Sequence, residues 1–251
     1  MIFGWNSESE MMEKNNKPRV SVVTIVFNGV DYLEDTIKSV IEQRYDNIEY
    51  IIIDGGSTDG TVDIIKRYEN NIDYWVSETD RGIYDAMNKG INVSHGCFIS
   101  FMNAGDKFSS RDELNKCEAY FENSDLILGK TFYSNGQYFQ SSSSRMWLKN
   151  NMQHQSVIYS KDLFEKYGLY DLSYRILSDY EANIRFLKNG AKCTLVNFSA
   201  LCDAHGLSST GKWVGYKEEI NIRNKYYPKF FVFSLYSFSR FMFKKIKHFF
   251  R

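Results

Sequence analysis

Apolar and polar positions fall into a regular rhythm over the first hundred residues. Residues 20–27 form an unbroken run rich in β-branched side chains, which predicts a buried strand ended by Asn28 and Gly29. Residues 31–43 set Leu33, Ile37, Val40 and Ile41 at helical spacing. A second strand is predicted over 48–53 and a helix over 61–68, with Val62, Ile65 and Tyr68 inward. A short strand over 73–76, a helix over 83–91 and a fourth strand over 97–102 complete the series. Alternation of this kind implies parallel strands joined by right-handed crossovers. After residue 110 the rhythm breaks. Strands are predicted at 126–129, 157–159 and 194–198, a hairpin at 132–139 around Asn135 and Gly136, and a helix at 177–187. The expected fold is α/β: a mixed, mainly parallel sheet flanked by helices, without internal repeats. Residues 1–17 are polar and read as a flexible tail, 18–210 as the folded domain, and 211–251 as a helical extension.

Composition narrows this little. A chain of 251 residues buries a core without staples. The two prolines, Pro18 and Pro228, bracket the predicted domain. Zero formal net charge disfavours a general nucleic-acid binder. The four cysteines form no Cys-x-x-Cys pair, and Cys97 and Cys193 lie in apolar runs, so buried free thiols are expected. That suits a reducing cytosol. No signal peptide and no spanning helix are expected. From residue 229 onward Lys229, Arg240, Lys244, Lys245, Lys247 and Arg251 stand without any acidic residue. Phe231, Leu235, Phe238, Met242 and Phe249 share one helical stripe, and Arg240, Lys244, Lys247 and Arg251 another. A cationic face beside an aromatic one is the pattern of an in-plane membrane helix. The alternative is packing on the domain or on a second subunit, as in a homodimer.

Two predicted strands run into small-residue turns that carry a carboxylate. One is Asp54, Gly55, Gly56, Ser57, Thr58; the other is Asn103, Ala104, Gly105, Asp106. In open α/β sheets ligands collect beyond the carboxyl ends of strands, so a nucleotide and metal crevice is expected there. Asp54 could accept from a base or a ribose, or the turn could simply cap the next helix. Arg81, Asp85 and Asn88 share a helical face that could line the crevice, or could be a solvated face with an Asp85–Lys89 pair. Asp106 suits a hard cation such as Mg2+ or Mn2+, or a helix cap. Asp179, at the start of the predicted 177–187 helix, could cap it or face a cleft as a general base. His154 precedes a strand with Gln155 beside it, and His205 lies in a turn-like loop that could approach a metal or diphosphate. Neither a Walker-type P-loop, a Gly-x-Gly-x-x-Gly nor a Gly-x-Ser-x-Gly elbow is present.

Together these segments resemble glycosyltransferase family 2, the inverting enzymes of GT-A (Rossmann-like) fold, over roughly residues 19–209. They look most similar to bacterial colanic-acid-type enzymes of surface polysaccharide assembly. The resemblance implies a nucleotide-sugar donor, a UDP-sugar by preference, and transfer to a lipid-linked glycan acceptor such as one on polyprenyl diphosphate. It implies donor contacts from Thr24, Phe27, Asn28, Asp54, Gly56, Ser57, Arg81, Asp85, Asn88, Asn103 and Ala104. It implies Asp179 as catalytic base, Asp106 and His205 at a divalent metal (Mn2+ or Mg2+), and His154 and Gln155 at the acceptor. Location would be cytoplasmic, peripheral to the inner face of the membrane. Many relatives carry Asp at both ends of an Asp-x-Asp signature where this chain has Asn103 and Gly105. That departure keeps open a second reading, a sugar-nucleotide-binding or scaffold protein that has lost turnover.

Overall fold

The computed structural model describes residues 2–5, 17–202 and 213–230, together with Ser239 and Met242. In chain order the strands and helices are β1 (Ile2–Trp5), β2 (Val20–Val26), α1 (Leu33–Ile41), β3 (Ile48–Asp54), α2 (Thr61–Arg67), β4 (Tyr74–Ser77), α3 (Ile83–Val93), β5 (Phe98–Phe101), β6 (Lys107–Phe108), β7 (Leu126–Tyr133), β8 (Tyr138–Gln140), β9 (Val157–Ser160), α4 (Lys161–Tyr167), α5 (Ser178–Lys188), β10 (Cys193–Cys202) and α6 (Trp213–Tyr226). The strands form one sheet in the order β1-β4-β3-β2-β5-β9-β7-β10-β6, with β8 pairing β7.

The sheet is α/β and mixed, as the alternation implies. β4, β3, β2 and β5 run parallel. β9 then lies antiparallel between β5 and β7, and β10 returns parallel to β7. Each parallel strand is buried on both faces, which is why it reads as a continuous apolar run. Val20, Val22 and Val26 of β2 join Leu33, Ile37 and Ile64 on one face of the sheet. Val23 and Ile25 join Met87, Phe164 and Ile184 on the other.

The structure departs from the sequence reading at several points. Ile2–Trp5, read as part of a flexible tail, pairs antiparallel with β4 as an edge strand. Its Ile-Phe-Gly-Trp run supplies strand formers that the polar residues after it conceal. β7 and β10 are longer than predicted because each continues past its apolar core into a half-exposed stretch. Cys97 is exposed, since it lies just outside β5, and Cys193 is half-buried; all four thiols are free. The first helix of the 211–251 extension, α6, packs on the domain: Tyr216, Glu218, Glu219, Ile222 and Arg223 are buried. Of the proposed membrane stripe only Met242 is described, and it is exposed; the other stripe residues and the cationic ones lie outside the described residues. No helix among the described residues is long and apolar enough to cross a membrane.

Candidate active site

Parallel strands deliver their carboxyl ends to one edge of the sheet, so the loops after β2, β3, β4 and β5 meet there. The first two are fastened together. Asn28 adopts a left-handed φ of 49° and its Oδ1 accepts from Thr58 N at 3.0 Å. Asn28 N donates to Ser57 Oγ at 2.7 Å, Gly29 N to Thr61 Oγ1 at 2.9 Å, and Val30 N to Asp59 Oδ2 at 3.1 Å. Phe27, the residue between β2 and this clasp, is 64% exposed.

Asp54 is fully buried, and its carboxylate organises the loop. Oδ2 accepts from Ser57 N at 2.9 Å, Gly56 N at 3.2 Å and Ser77 Oγ at 2.5 Å, while Oδ1 accepts from Ser57 Oγ. A carboxylate so placed shapes a loop whose other groups face outward. Gly56 sits at φ 85°, a conformation that L side chains rarely adopt. A Cβ on Gly55 would lie 2.6 Å from Asp80 Oδ2 and 3.3 Å from the Phe27 ring, so glycine lets the Asp80 carboxylate approach beside that ring. Asp80 therefore joins Phe27 and Ser57 at this rim, which the sequence reading did not single out.

Thr24 and Asn88 do not join the rim. Thr24 has no exposed surface, and its hydroxyl lies 3.1 Å from that of Tyr50 inside the sheet. Both ends of the Asn88 carboxamide are taken by the Tyr170 backbone, at 2.9 and 3.0 Å. Its work is to hold α3 to the loop after α4. Asp85 caps the approach to α3 by accepting from Arg81 N, and pairs with the Arg81 guanidinium at 2.8 Å. That hydrogen bond from Arg81 holds the Asp85 carboxyl below the usual range. The Arg81 side chain stays 77% exposed, so it remains open to an anion.

The sheet reverses direction between β5 and β9. The register Ser100↔Ile158 brings the loop after β5 beside residues 154 and 155. Asn103 Nδ2 lies 2.9 Å from His154 Nε2. With Nδ2 assigned as the donor, Nε2 accepts and the ring proton belongs on Nδ1. That Nδ1 is 3.7 Å from Asp179 Oδ2. Three residues spread over 76 positions of sequence thus stand in line at the switch point (103 to 179). Asp179 is further held by Tyr84, whose hydroxyl is 2.9 Å from Oδ1, and by Asn150, whose Nδ2 is 3.3 Å from Oδ2. Burial, followed by the Asp179 charge, pushes the Tyr84 phenol well above its ordinary value, so it stays a donor.

The loop from Asn103 to Asp106 is pinned to α1. Thr36 Oγ1 accepts from Gly105 N at 2.9 Å and donates to Asp106 O at 2.8 Å. Asp106 is 8% exposed and neighbours Cys202, whose thiol is pushed up by burial and then by this carboxylate. Ala104 continues the β2 ladder through its N–H to Ile25 O. Asn103 Oδ1 and Gln155 Oε1 are buried oxygens without a protein partner. Asp106 lies on the same turn as Asn103, and oxygen atoms of this kind are the donors that hard divalent cations accept. Among the described residues, however, no three His, Cys, Asp or Glu side chains cluster to hold a metal. His205 lies outside the described residues.

Tyr84 and Asn150 went unrecognised as partners of Asp179. A tyrosine on the sheet-facing side of a helix was the available signal, because a buried phenol normally finds a polar partner. Asn150 sits in a polar stretch and gave none.

A mainly parallel sheet of this order, with loops clasped at its carboxyl edge and a later helix bringing a carboxylate to the switch point, is the architecture of a GT-A glycosyltransferase. The model of the family described as "Glycosyl transferase family 2" matches residues 21–178, and the chain belongs to that family. It is 32% identical over 186 residues to a PGL/p-HBAD biosynthesis glycosyltransferase of Mycobacterium bovis, covering 70% of this chain and 73% of that one. Among solved structures, S. aureus TarS 1–349 in complex with UDP-GlcNAc superposes with a TM-score of 0.64 at 16% identity, covering 81% of this chain and 64% of that one. The present chain spans only 39% of the longer TarS chain. The mannosyltransferase PcManGT of Pyrobaculum calidifontis, in complex with GDP-Man and Mn2+, gives 0.64 at 17% identity, covering 89% and 75%. At such identities the likeness speaks for the fold alone.

Proposed function

We propose that the protein transfers one sugar, with inversion, from a UDP-sugar to a lipid-linked glycan acceptor in bacterial surface polysaccharide assembly. The observation that carries this reading is the line Asn103, His154, Asp179, which sets a carboxylate with polar support on both oxygens beside the loop after β5. A sugar hydroxyl is a poor nucleophile, and a positioned carboxylate must take its proton as the new bond forms. Asp179 is that base. Tyr84, Asn150 and His154 fix its direction, and His154 and Gln155 border the acceptor. Attack opposite the departing diphosphate inverts the anomeric centre and needs no covalent intermediate.

On the donor side Phe27 offers an exposed ring to a base, and Asp80, the Gly56 and Ser57 turn and Arg81 surround it. Asp54 acts by shaping that turn. Arg81, paired with Asp85 yet 77% exposed, can present its charge to a diphosphate. A divalent cation, Mn2+ or Mg2+, fits the oxygen donors of Asp106 and Asn103; when bound it offsets negative charge on the leaving diphosphate. Residues 18–210 form the transferase unit, and the basic, aromatic part of 211–251 holds it at the inner face of the cytoplasmic membrane. The neighbours solved with UDP-GlcNAc, or with GDP-Man and Mn2+, support a nucleotide-sugar donor.

A thermal-shift panel of UDP-, GDP- and dTDP-sugars, with and without Mn2+, tests the donor. The expected result is a shift with one nucleotide class, enlarged by Mn2+ and lost with EDTA. Asp179→Asn is expected to keep that shift while nucleotide release falls at least about 100-fold. Undiminished turnover in this variant would reject Asp179 as base.

A further inference from the structure

α6 lies beyond residues 21–178, the span matched by the family model, yet it reaches both flanks of Asp179. Its Glu218 is 7% exposed. Oε1 accepts from Arg175 N at 2.8 Å, and Oε2 accepts from Ile176 N and Leu177 N at 3.0 Å each. Three consecutive amides just ahead of α5 thus converge on one carboxylate from another helix. α5 has no side-chain cap of its own at Leu177, so Glu218 supplies the acceptor and the negative charge that a helix N-terminus favours. The same segment is pinned from the opposite side, where Ile176 O accepts from the Tyr84 hydroxyl at 2.7 Å. Asp179 Oδ1, 2.9 Å from the same hydroxyl, shares its single proton with Ile176 O. On the second flank Arg223, with no exposed surface, donates to Leu148 O at 2.8 Å, two residues before the Asn150 that holds Asp179 Oδ2.

We propose that Glu218 is a positioning residue for the transfer reaction: it fixes residues 175–177 from α6 and thereby aims the Asp179 carboxylate. The proposal rests on Asp179 being the base. Truncation of Glu218 would leave three amides unmatched, so the residue also supports the fold, and the informative substitutions are those that keep an acceptor oxygen. Its value here is directional. Glutamate presents two acceptor oxygens to three donors, whereas glutamine presents one oxygen and an opposing donor. Displacement of a reacting group by about 1 Å costs on the order of 100-fold in rate.

The test compares Glu218→Gln, Glu218→Asp and Asp179→Asn in the full chain. The readouts are UDP release from UDP-GlcNAc, UDP-glucose and UDP-galactose, UDP affinity by calorimetry, and amide hydrogen exchange. Glu218→Gln is expected to lower kcat about 10- to 100-fold and to leave UDP affinity within about twofold. Exchange is expected to quicken over residues 175–180 and to stay unchanged over 55–61; this readout needs no donor. Glu218→Asp, which keeps both oxygens one methylene short, is expected to fall between, and it carries the same comparison should Glu218→Gln not fold. Unaltered exchange over 175–180 in Glu218→Gln overturns the proposal. So does wild-type kcat in Glu218→Gln while Asp179→Asn is inactive, and so does a loss of UDP affinity as large as the loss of kcat. Full turnover in Asp179→Asn would instead reject the base itself, whatever Glu218 does.

Discussion

Asp54 is one buried carboxylate that closes a turn through two amides and two hydroxyls. Asp54→Ala leaves those donors unmatched in a buried place, which costs about 1–3 kcal/mol per group that water cannot reach. The expected outcome is a clear fall in the unfolding midpoint and at least a tenfold loss of nucleotide affinity by calorimetry, since Gly56 and Ser57 lose their shape. His154 makes the opposite case. Its ring touches Asn103 and Asp179 and carries no part of the apolar core. His154→Gln is therefore expected to keep the midpoint within a degree or two while kcat falls about tenfold in a donor-turnover assay. At this scale the sequence was partly readable. Asp54 and Asp106 announced themselves by ending apolar runs. The Asn103 to His154 contact did not, because no spacing rule links positions separated by a sheet reversal.

Helices and strands of the first half were legible because each βαβ unit obeys its own period. The misses have physical causes. β6 has two residues and takes its existence from β10, with Ala200 opposite Phe108. α4 begins directly where β9 ends, at Lys161 after Ser160, with no turn residue to announce it. α6 carries charged residues all round, and Glu218, Glu219 and Arg223 look like surface until their partners are seen: residues 175–177 for Glu218, and Leu148 O and Glu219 for Arg223. One element-scale property follows from Glu49 at the amino end of β3. Burial pushes its carboxyl up, but hydrogen bonds from Ser21 and His95 and the nearby Arg19 charge outweigh this and hold it below its ordinary value. A depressed folded-state value means the stabilisation is present above the unfolded glutamate range, near about 4.3, and fades as pH falls through the lower folded value. Glu49→Gln is thus expected to lower the unfolding midpoint at pH 7 and to flatten its dependence below about pH 4.5 in a pH series of thermal melts.

For the whole molecule, the proposed membrane attachment resides in charges that follow α6 in the sequence. Each cation near an anionic leaflet is worth about 1 kcal/mol, so replacing Arg240, Lys244, Lys247 and Arg251 by serine is expected to weaken vesicle partitioning by about three orders of magnitude. Sedimentation with phosphatidylglycerol vesicles reads this directly, and unchanged partitioning would leave the protein without its proposed anchor. Turnover of a water-soluble acceptor should be unaffected, because α6 meets α5 through Lys225 and Tyr226, and the segment before α5 through Glu218, all upstream of those charges. The order in which these parts are made has its own consequence. Ribosomes finish the clasped loops of residues 28–61 well before residue 218 emerges, but a domain generally folds as a unit, and the sheet that carries those loops runs on through β9, β7 and β10. Incomplete polypeptides would consequently neither grip nucleotide nor hydrolyse activated sugar before the later strands have been made.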